Sequence, residues 1–506
     1  MTYSPKLSSA FNDTYNRSRH ISPQSGMCSL CTEECEGTCE IALAAVLGAR
    51  AVYPTNTGAN QVASEKDYPI DYSHFNINGR VFGARGAKLS FEETTIWNVN
   101  LESQYGKINP IKMTMPIILP ALIKMNWKDY FGGAAMAGVT CIIGEDARNK
   151  DPELVMENGK VVHFPALKTM LDAFRKYDRG YGQIVLQCNC EDDMMGVPEY
   201  AINVQGATAI ELKFGQGAKG TQPVIRLKNR KEALEKQALG NFVRPDPRDA
   251  DIEQADREGV CPNFYIYSRL PIWDEEYLIP RIKKLREMGA KNIYLKMAGY
   301  DREDLKHLLL LGSEAEVDML TFDGAGGGSG YSPCRMMNEW GLPTVVLEET
   351  VIKLVKEMRA DNLYVPAITI TGGFSGEDQV FKAIAYGNGD VTAVGIARGA
   401  MTAAMMGKNI GERIKEGKVP KNLEQYGSTV EEIYSDLPEL RALYGKQAND
   451  FSPGAIGVFS YLNKIAFGLK HFAALNRKFN VGLLDQTDLI PLTRDARDLI
   501  KGRWFD

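Results

Sequence analysis

From about residue 115 onward, short apolar runs alternate with longer amphipathic stretches, and no other feature of the chain constrains its fold as tightly. Parallel strands cannot be joined by tight turns, so repeated strand–helix units imply a parallel sheet with helices on its outside. Eight runs have the length and composition of buried strands: "MPIILPA" (115–121), "VTCIIGE" (139–145), "GQIVLQCN" (182–189), "TAIELKFGQG" (208–217), "NIYLKMAG" (292–299), "VDMLTFDG" (317–324), "VPAITITGG" (365–373) and "VTAVGIARG" (391–399). Between them lie helical stretches such as "WKDYFGGAAMAG", "ALKTMLDAFRKYD", "EEYLIPRIKKLREMG", "EETVIKLVKEMRA" and "GEDQVFKAIAYG". Eight units are the number that closes a (β/α)8 barrel, so the expected fold class is α/β, a TIM barrel with extensions at both ends.

The gap between the fourth and fifth runs is longer than the others, and residues 218–272 are charged and proline-bearing, which reads as an excursion on the carboxyl-terminal side of the barrel. Residues 1–79 form a cysteine-bearing extension, 80–410 the barrel and 411–506 a helical extension. Within the last, "FSPGAIGVFSYLNKIAFGLKHFAALNRKF" has the apolar spacing of a helix that packs on the barrel. Lys and Arg total 59 against 64 Asp and Glu, a net charge of -5 that offers no basic field to nucleic acid or anionic lipid. The first twenty residues lack the apolar core of a secretory signal, and no run approaches the ~20 apolar residues that span a bilayer. The expected setting is cytoplasmic and the expected partner a small molecule.

In such a barrel the carboxyl ends of the strands form the active face. Here the fourth run ends in Lys213, Gln216 and Lys219, the fifth in Lys296, and the sixth in Asp323 followed by "GAGGGSG". The seventh ends in Gly372 and Gly373, and the eighth in Gly395 and "ARG" (397–399). Taken singly, a glycine-rich loop relieves a tight turn, a strand-end lysine snorkels to water and an aspartate caps a helix. Their convergence on one rim favours ligand binding instead. Glycines after the last two strands let backbone N–H groups approach a phosphate closely, and three lysines at one mouth stabilise anionic groups.

Before the barrel, Cys28, Cys31, Cys35 and Cys39 crowd into one short run. Structural disulfides are rare in a reducing compartment, so clustered thiols read as metal or cluster ligands. A structural zinc site usually joins two Cys-x2-Cys pairs across a dozen or more residues. The compact Cys-x2-Cys-x3-Cys-x3-Cys pattern is closer to the runs that wrap an iron–sulfur cluster, so 4Fe–4S is expected, with zinc or redox-paired thiols as alternatives. Cys141, Cys188, Cys190 and Cys334 fall in or near barrel strands, where inert burial is the default.

With these motifs in hand, the chain resembles the FMN-binding synthase domain of glutamate synthase. "GVPEYAINVQGATAIELKFGQGAKG" (196–220) is similar to that family's Gly-Val-x-Pro-Glu-Tyr run and its Glu-Ile-Lys-x-x-Gln-Gly-Ala-Lys segment. "IYLKMAG", "TFDGAGGGSGYSP", "GLP" (341–343) and "ITGGFSGEDQVFKAIAYG" resemble its later strands and loops in order, "GED" (144–146) its Gly-Glu-Asp turn, and "PIILPALIKMN" its first flavin-contacting strand. The resemblance spans roughly residues 80–410. It implies that Ala121, Gln187, Lys296, Gly372, Gly373, Gly395, Arg398 and Gly399 surround FMN. It further implies that Glu145, Lys213, Gln216 and Lys219 face a 2-oxo acid or its imine, with Lys213, Lys296 and Asp323 catalytic.

Departures from the family pattern bear on chemistry. The loop "ARGAMTAAMMGKNIGERIKEG" has none of the cysteines that hold the family's 3Fe–4S cluster, residue 2 is Thr where a glutaminase nucleophile would be Cys, and Phe322 and Ala325 replace His and Gly. The resemblance therefore implies an oxidoreductase of the glutamate synthase type without its own glutaminase. It would reduce an imine formed from 2-oxoglutarate or a related 2-oxo acid and ammonia or an amine, with electrons entering through the amino-terminal cysteines. Ferredoxin, a reductase or an amidotransferase subunit are the implied partners, and an oligomer is expected. Alternatives are oxidation of an amino acid, amine or hydroxy acid, or a non-catalytic electron relay. No Gly-x-Gly-x-x-Gly opens a strand–helix unit, so a built-in NAD(P)H site has no support.

Overall fold

The computed structural model describes residues 40–47, 68–122, 126–214, 223–261, 264–267, 269–324 and 341–500. Each apolar run forms a strand: β1 (Ile117–Leu122), β2 (Thr140–Ile143), β3 (Ile184–Cys188), β4 (Ala209–Lys213), β5 (Asn292–Ala298), β6 (Met319–Asp323), β7 (Ala367–Thr371) and β8 (Ala393–Gly395). They pair in parallel in chain order, and β8 pairs back onto β1 to close an eight-stranded barrel. Helices follow the strands in turn: α1 (Trp127–Ala137), α2 (Pro165–Arg175), α3 (Val197–Asn203), α4 (Glu275–Glu287), α5 (Arg302–Glu314), α6 (Thr344–Ala360), α7 (Glu377–Gly387) and α8 (Arg398–Lys415).

Alternation along each strand divides its side chains between two environments. Residues such as Ile210, Leu212, Leu295, Leu320, Phe322, Ile370 and Val394 point outward and pack beneath the helices in the main core. Ile118, Ile142, Val185, Ala209, Tyr294, Met319 and Ala393 point inward and form a separate apolar floor. A hairpin of Ser103–Tyr105 and Ile111–Met113 closes the amino-terminal mouth by adding Tyr105, Ile111 and Met113 to that floor. At that end the polar groups of Tyr105, Thr140, Gln183, Asn292 and Tyr294 bond one another, and the inward charged residues Glu211, Lys213, Lys296 and Asp323 lie towards the other.

The excursion after β4 is a folded unit. Strands Pro223–Leu227 and Phe242–Arg244 flank Phe264–Tyr267 in an antiparallel sheet, with helices Arg230–Ala238 and Ala250–Arg257 between them. Leu227, Ala233, Val243, Phe264 and Ile266 give it a small core of its own. The backbone N–H of Arg269 donates to Glu191 Oε1 at 2.5 Å, tying the chain that leaves this unit to the loop after β3 on the carboxyl-terminal face.

The expected carboxyl-terminal helix is α9 (Pro453–Leu475), which packs across α1, α7 and α8 and is buried along most of its first half. The helix Glu40–Leu47 sits against α8 and α9 with Ile41, Ala42, Ala44, Ala45 and Val46 buried. Strand Phe75–Ile77 pairs antiparallel with Leu489–Pro491, so the two ends of the described chain are stitched together. Among the described residues no helix is long and apolar enough to cross a membrane.

Candidate active site

Above the apolar floor the inward positions become polar. Gln187 on β3, Glu211 on β4, Lys296 on β5, Thr321 on β6 and Thr369 on β7 form one tier, and Lys213, Asp323, Thr371 and Gly395 follow towards the rim. Strand register brings them side by side: Gln187 opposes Glu211, Lys213 opposes Lys296, Lys296 opposes Thr321, Asp323 opposes Thr371, and Thr371 opposes Gly395.

Two ion pairs organise this mouth. Lys213 Nζ bonds both carboxylate oxygens of Glu145 at 2.8 Å, with the side chains 2% and 8% exposed. A buried pair survives desolvation when its geometry is good and its other polar atoms are satisfied. Two residues expected to face a substrate thus first engage each other. The loop carrying Glu145 is fixed from behind, where the Asp146 N–H donates to Asp192 Oδ2 at 2.9 Å and buried Arg148 binds both Asp146 and Asp192. The second pair is looser: Lys296 Nζ lies 3.6 Å from Asp323 Oδ2, beyond hydrogen-bond reach, while Thr371 Oγ1 donates to Asp323 Oδ1 at 2.8 Å. Asp323 is held by its neighbour strand and in turn holds the charge of Lys296.

Glu211, fully buried, accepts a hydrogen bond from Gln187 Nε2 at Oε1. Burial pushes its carboxyl above the ordinary range, opposed by the cations of Lys296 and Lys213 and by the Gln187 bond. Three buried side-chain oxygens of this tier have no hydrogen-bond partner: Gln187 Oε1, Glu211 Oε2 and Thr321 Oγ1.

The ends of β7 and β8 make a narrow glycine corner. Gly372 and Gly373 have φ of 129° and 96°, a region costly for other residues, and a Cβ on Gly372 would lie 2.6 Å from Thr344 Oγ1. A Cβ on Gly395 would meet Pro120 and Thr371 at 2.8 Å, and one on Gly399 the Tyr461 hydroxyl at 2.5 Å. Tyr461, from α9, also donates to the Ser375 carbonyl at 2.6 Å, so the carboxyl-terminal helix braces the loop after β7. In that loop the N–H groups of Ser375 and Gly376 are capped by Gln379 Oε1 at 2.8 and 3.1 Å. The amino terminus of α8, which begins at Arg398, has no side-chain cap. An uncapped helix start beside backbone free of Cβ atoms is suited to a phosphate.

Ala121 packs against the lumen floor just where β1 slips register against β2. Cys141 and Cys188 point outward into the main core, and Cys190 Sγ lies 3.3 Å from Glu191 Oε2 in the short helix Cys190–Met194 that follows β3. Gln216, Lys219, Cys334 and the run Cys28, Cys31, Cys35 and Cys39 lie outside the described residues. Among the described residues no group of three or more His, Cys, Asp or Glu side chains is arranged to hold a metal ion. Sequence reasoning passed over Glu211, Thr371 and Tyr461. Glu211 and Thr371 had a visible signal: the first shares the inner face of β4 with Lys213 by period two, the second directly precedes the glycine pair. Tyr461 had none, because its contact is made from a helix outside the barrel.

Residues 263–408 match the conserved region in glutamate synthase. No curated protein sequence matches the chain. Among solved structures, the recombinant flavin-binding domain of baker's yeast flavocytochrome b2 is similar at 12% identity, covering 86% of this chain and 79% of that one with a TM-score of 0.46. A lactate oxidase described as putative, from Pediococcus acidilactici, is similar at 14% identity, covering 83% and 84% with a TM-score of 0.43. Likenesses at this level carry no argument about chemistry.

Proposed function

We propose that this chain, whose residues 263–408 carry the glutamate synthase region, is a flavin oxidoreductase that holds FMN in the carboxyl-terminal mouth of its barrel. The observation that carries the reading is the junction of the polar lumen tier with the glycine corner at β7 and β8. The residues present fit the group. Gln187 offers an unpartnered Oε1, and Lys296 has its nearest carboxylate oxygen at 3.6 Å, so both suit the polar edge of a flavin ring. Gly372, Gly373, Gly395, Gly399 and Arg398 at the uncapped start of α8 suit its phosphate.

FMN, when bound, supplies two-electron chemistry that none of these side chains can perform. The chain's own residues bind, orient and place charge. Lys296 sets a cation against the anionic character of the ring edge, and Asp323, fixed by Thr371, limits where that cation goes. The apolar floor beneath keeps water from entering through the amino-terminal mouth. Lys213, braced by Glu145, is assigned to a substrate carboxylate together with Gln216 and Lys219, whose support is the sequence resemblance, and Lys213 retains part of its field because the pair is partly compensated rather than removed.

The substrate in this reading is a 2-imino acid formed from a 2-oxo acid, 2-oxoglutarate first, and ammonia or an amine. The same site run backwards oxidises a CH–NH2 donor. Electrons enter through a 4Fe–4S cluster on Cys28, Cys31, Cys35 and Cys39, for which the support is their spacing. Cys39 directly precedes the helix Glu40–Leu47, and that helix packs on α8, the helix that starts at the phosphate corner. A reduced ferredoxin or a reductase subunit is the donor class, in a reducing compartment such as the cytoplasm.

Protein purified anaerobically tests each part. FMN should be released on denaturation, iron and sulfide should be present, and dithionite with 2-oxoglutarate and ammonium should yield glutamate. No bound FMN overturns the flavin reading. Reducible FMN with no turnover of any 2-oxo acid overturns the substrate, and zinc in place of iron overturns the electron entry.

A further inference from the structure

Glu211 lies in the lumen below the residues assigned to substrate, and its two oxygens have different surroundings. Oε1 accepts from Gln187 Nε2, whereas Oε2 has no partner. Gln187 Oε1, on the adjoining strand, and Thr321 Oγ1, beside Lys296 in register, are also unpartnered. A buried polar atom left in this state is costly, and three lie on the inner face of these strands. A single hydrogen resolves much of it. With a proton on Oε2, Glu211 and Gln187 have the complementary groups of an acid–amide pair: the amide N–H for one carboxyl oxygen, and the amide carbonyl as acceptor for the other.

The charges around Glu211 pull in both directions. Lys296 on β5 and Lys213 on β4 favour the ionised form, while Glu145, on the loop after β2, opposes it. From β3 it is faced by Gln187, which is uncharged. Tyr294 on β5 stands opposite in register as a neutral phenol, its own proton held tightly by burial, and β6 contributes the Thr321 hydroxyl and, nearer the rim, Asp323 paired to Lys296. These fields act on Glu211 in opposite directions, so a change of charge in the mouth bears directly on its proton.

We infer that Glu211 is the proton-holding positioning residue of this lumen, taking up a proton at Oε2 when electrons enter the bound flavin and releasing it when they leave. The inference rests on the flavin reading above. The balance is simple: a one-electron reductant supplies two electrons in two steps, one proton enters the flavin with them, and a second binds Glu211 Oε2. Both are returned on oxidation. The added negative charge in the mouth is what draws the second proton, and the proton in turn restores the field that Lys296 presents.

Potentiometric titration of the holoprotein between pH 7 and 9 reads this directly. The midpoint potential of the unaltered protein should follow pH with about two protons per two electrons, and that of E211Q with about one. A protonated carboxyl band should also appear in the reduced-minus-oxidised infrared difference spectrum of the unaltered protein, a measurement that does not depend on the variant folding. A slope of about one proton per two electrons in both proteins, or no carboxyl band, overturns the inference and leaves the flavin reading intact. Absence of bound FMN overturns the flavin reading and this inference with it.

Discussion

Replacing Lys213 by methionine separates the two tasks assigned to this residue. Its ammonium bonds both oxygens of Glu145 at 2.8 Å, and the two side chains are 2% and 8% exposed. Methionine keeps most of the stem's volume, so a cavity contributes little. What is lost is the ammonium that bonds both Glu145 oxygens in a nearly dry site, about 3–5 kcal/mol. In E145Q/K213M both charges are gone, and the double variant should recover about 2–3 kcal/mol of the summed single losses. Urea titration of K213M, E145Q, the double variant and the unaltered protein gives the cycle, all with FMN removed because a ligand bound to the native state adds its own stability. A K213M cost below about 0.5 kcal/mol, or strict additivity within that margin, would mean that the pair does not form and that Lys213 is held for ligand alone.

Two further outcomes follow from the corner and the lumen. G372A places a Cβ 2.6 Å from Thr344 Oγ1 at a φ of 129°, so about 1–3 kcal/mol of strain should appear as lost stability of the FMN-free protein in urea titration. A cost below about 0.5 kcal/mol would mean that the corner does not require glycine at this position. For Glu211 the pKa is raised in the folded state, so the unfolded chain binds fewer protons once pH passes the ordinary value of about 4.3. The stability contributed by this group is therefore present at low pH and lost as pH rises through the folded-state pKa. E211Q should lack that loss, and identical pH–stability slopes for the two FMN-free proteins refute the assignment.

The eight strands were legible because each is a run of β-branched and long apolar residues buried on both faces, bounded by glycine or charge. The rim was legible for the same reason, since once the strands are placed their last residues are necessarily at one mouth. The excursion after β4 was less so. Its helices Arg230–Ala238 and Ala250–Arg257 bury few residues, so their sequences read as charged linker although they cover a small core. Glu211 was visible as an inward position, yet its character depends on being fully buried beside Gln187 with one oxygen unpaired, which no spacing reveals.

Periodicity determines the eight strand–helix units and so a parallel sheet covered by helices, and their number points to a barrel, whose closure the pairing of β8 with β1 supplies. It also places Lys213, Lys296, Asp323 and the paired glycines at the same end. Which charges meet was decided only when the chain closed. Lys213 finds Glu145 across 68 residues, Lys296 and Asp323 share a ladder, and Tyr461 reaches the β7 loop from a helix 86 residues away. Those pairings depend on distances of a few ångströms between residues remote in sequence, and electrostatic energies in a dry interior change steeply over such distances.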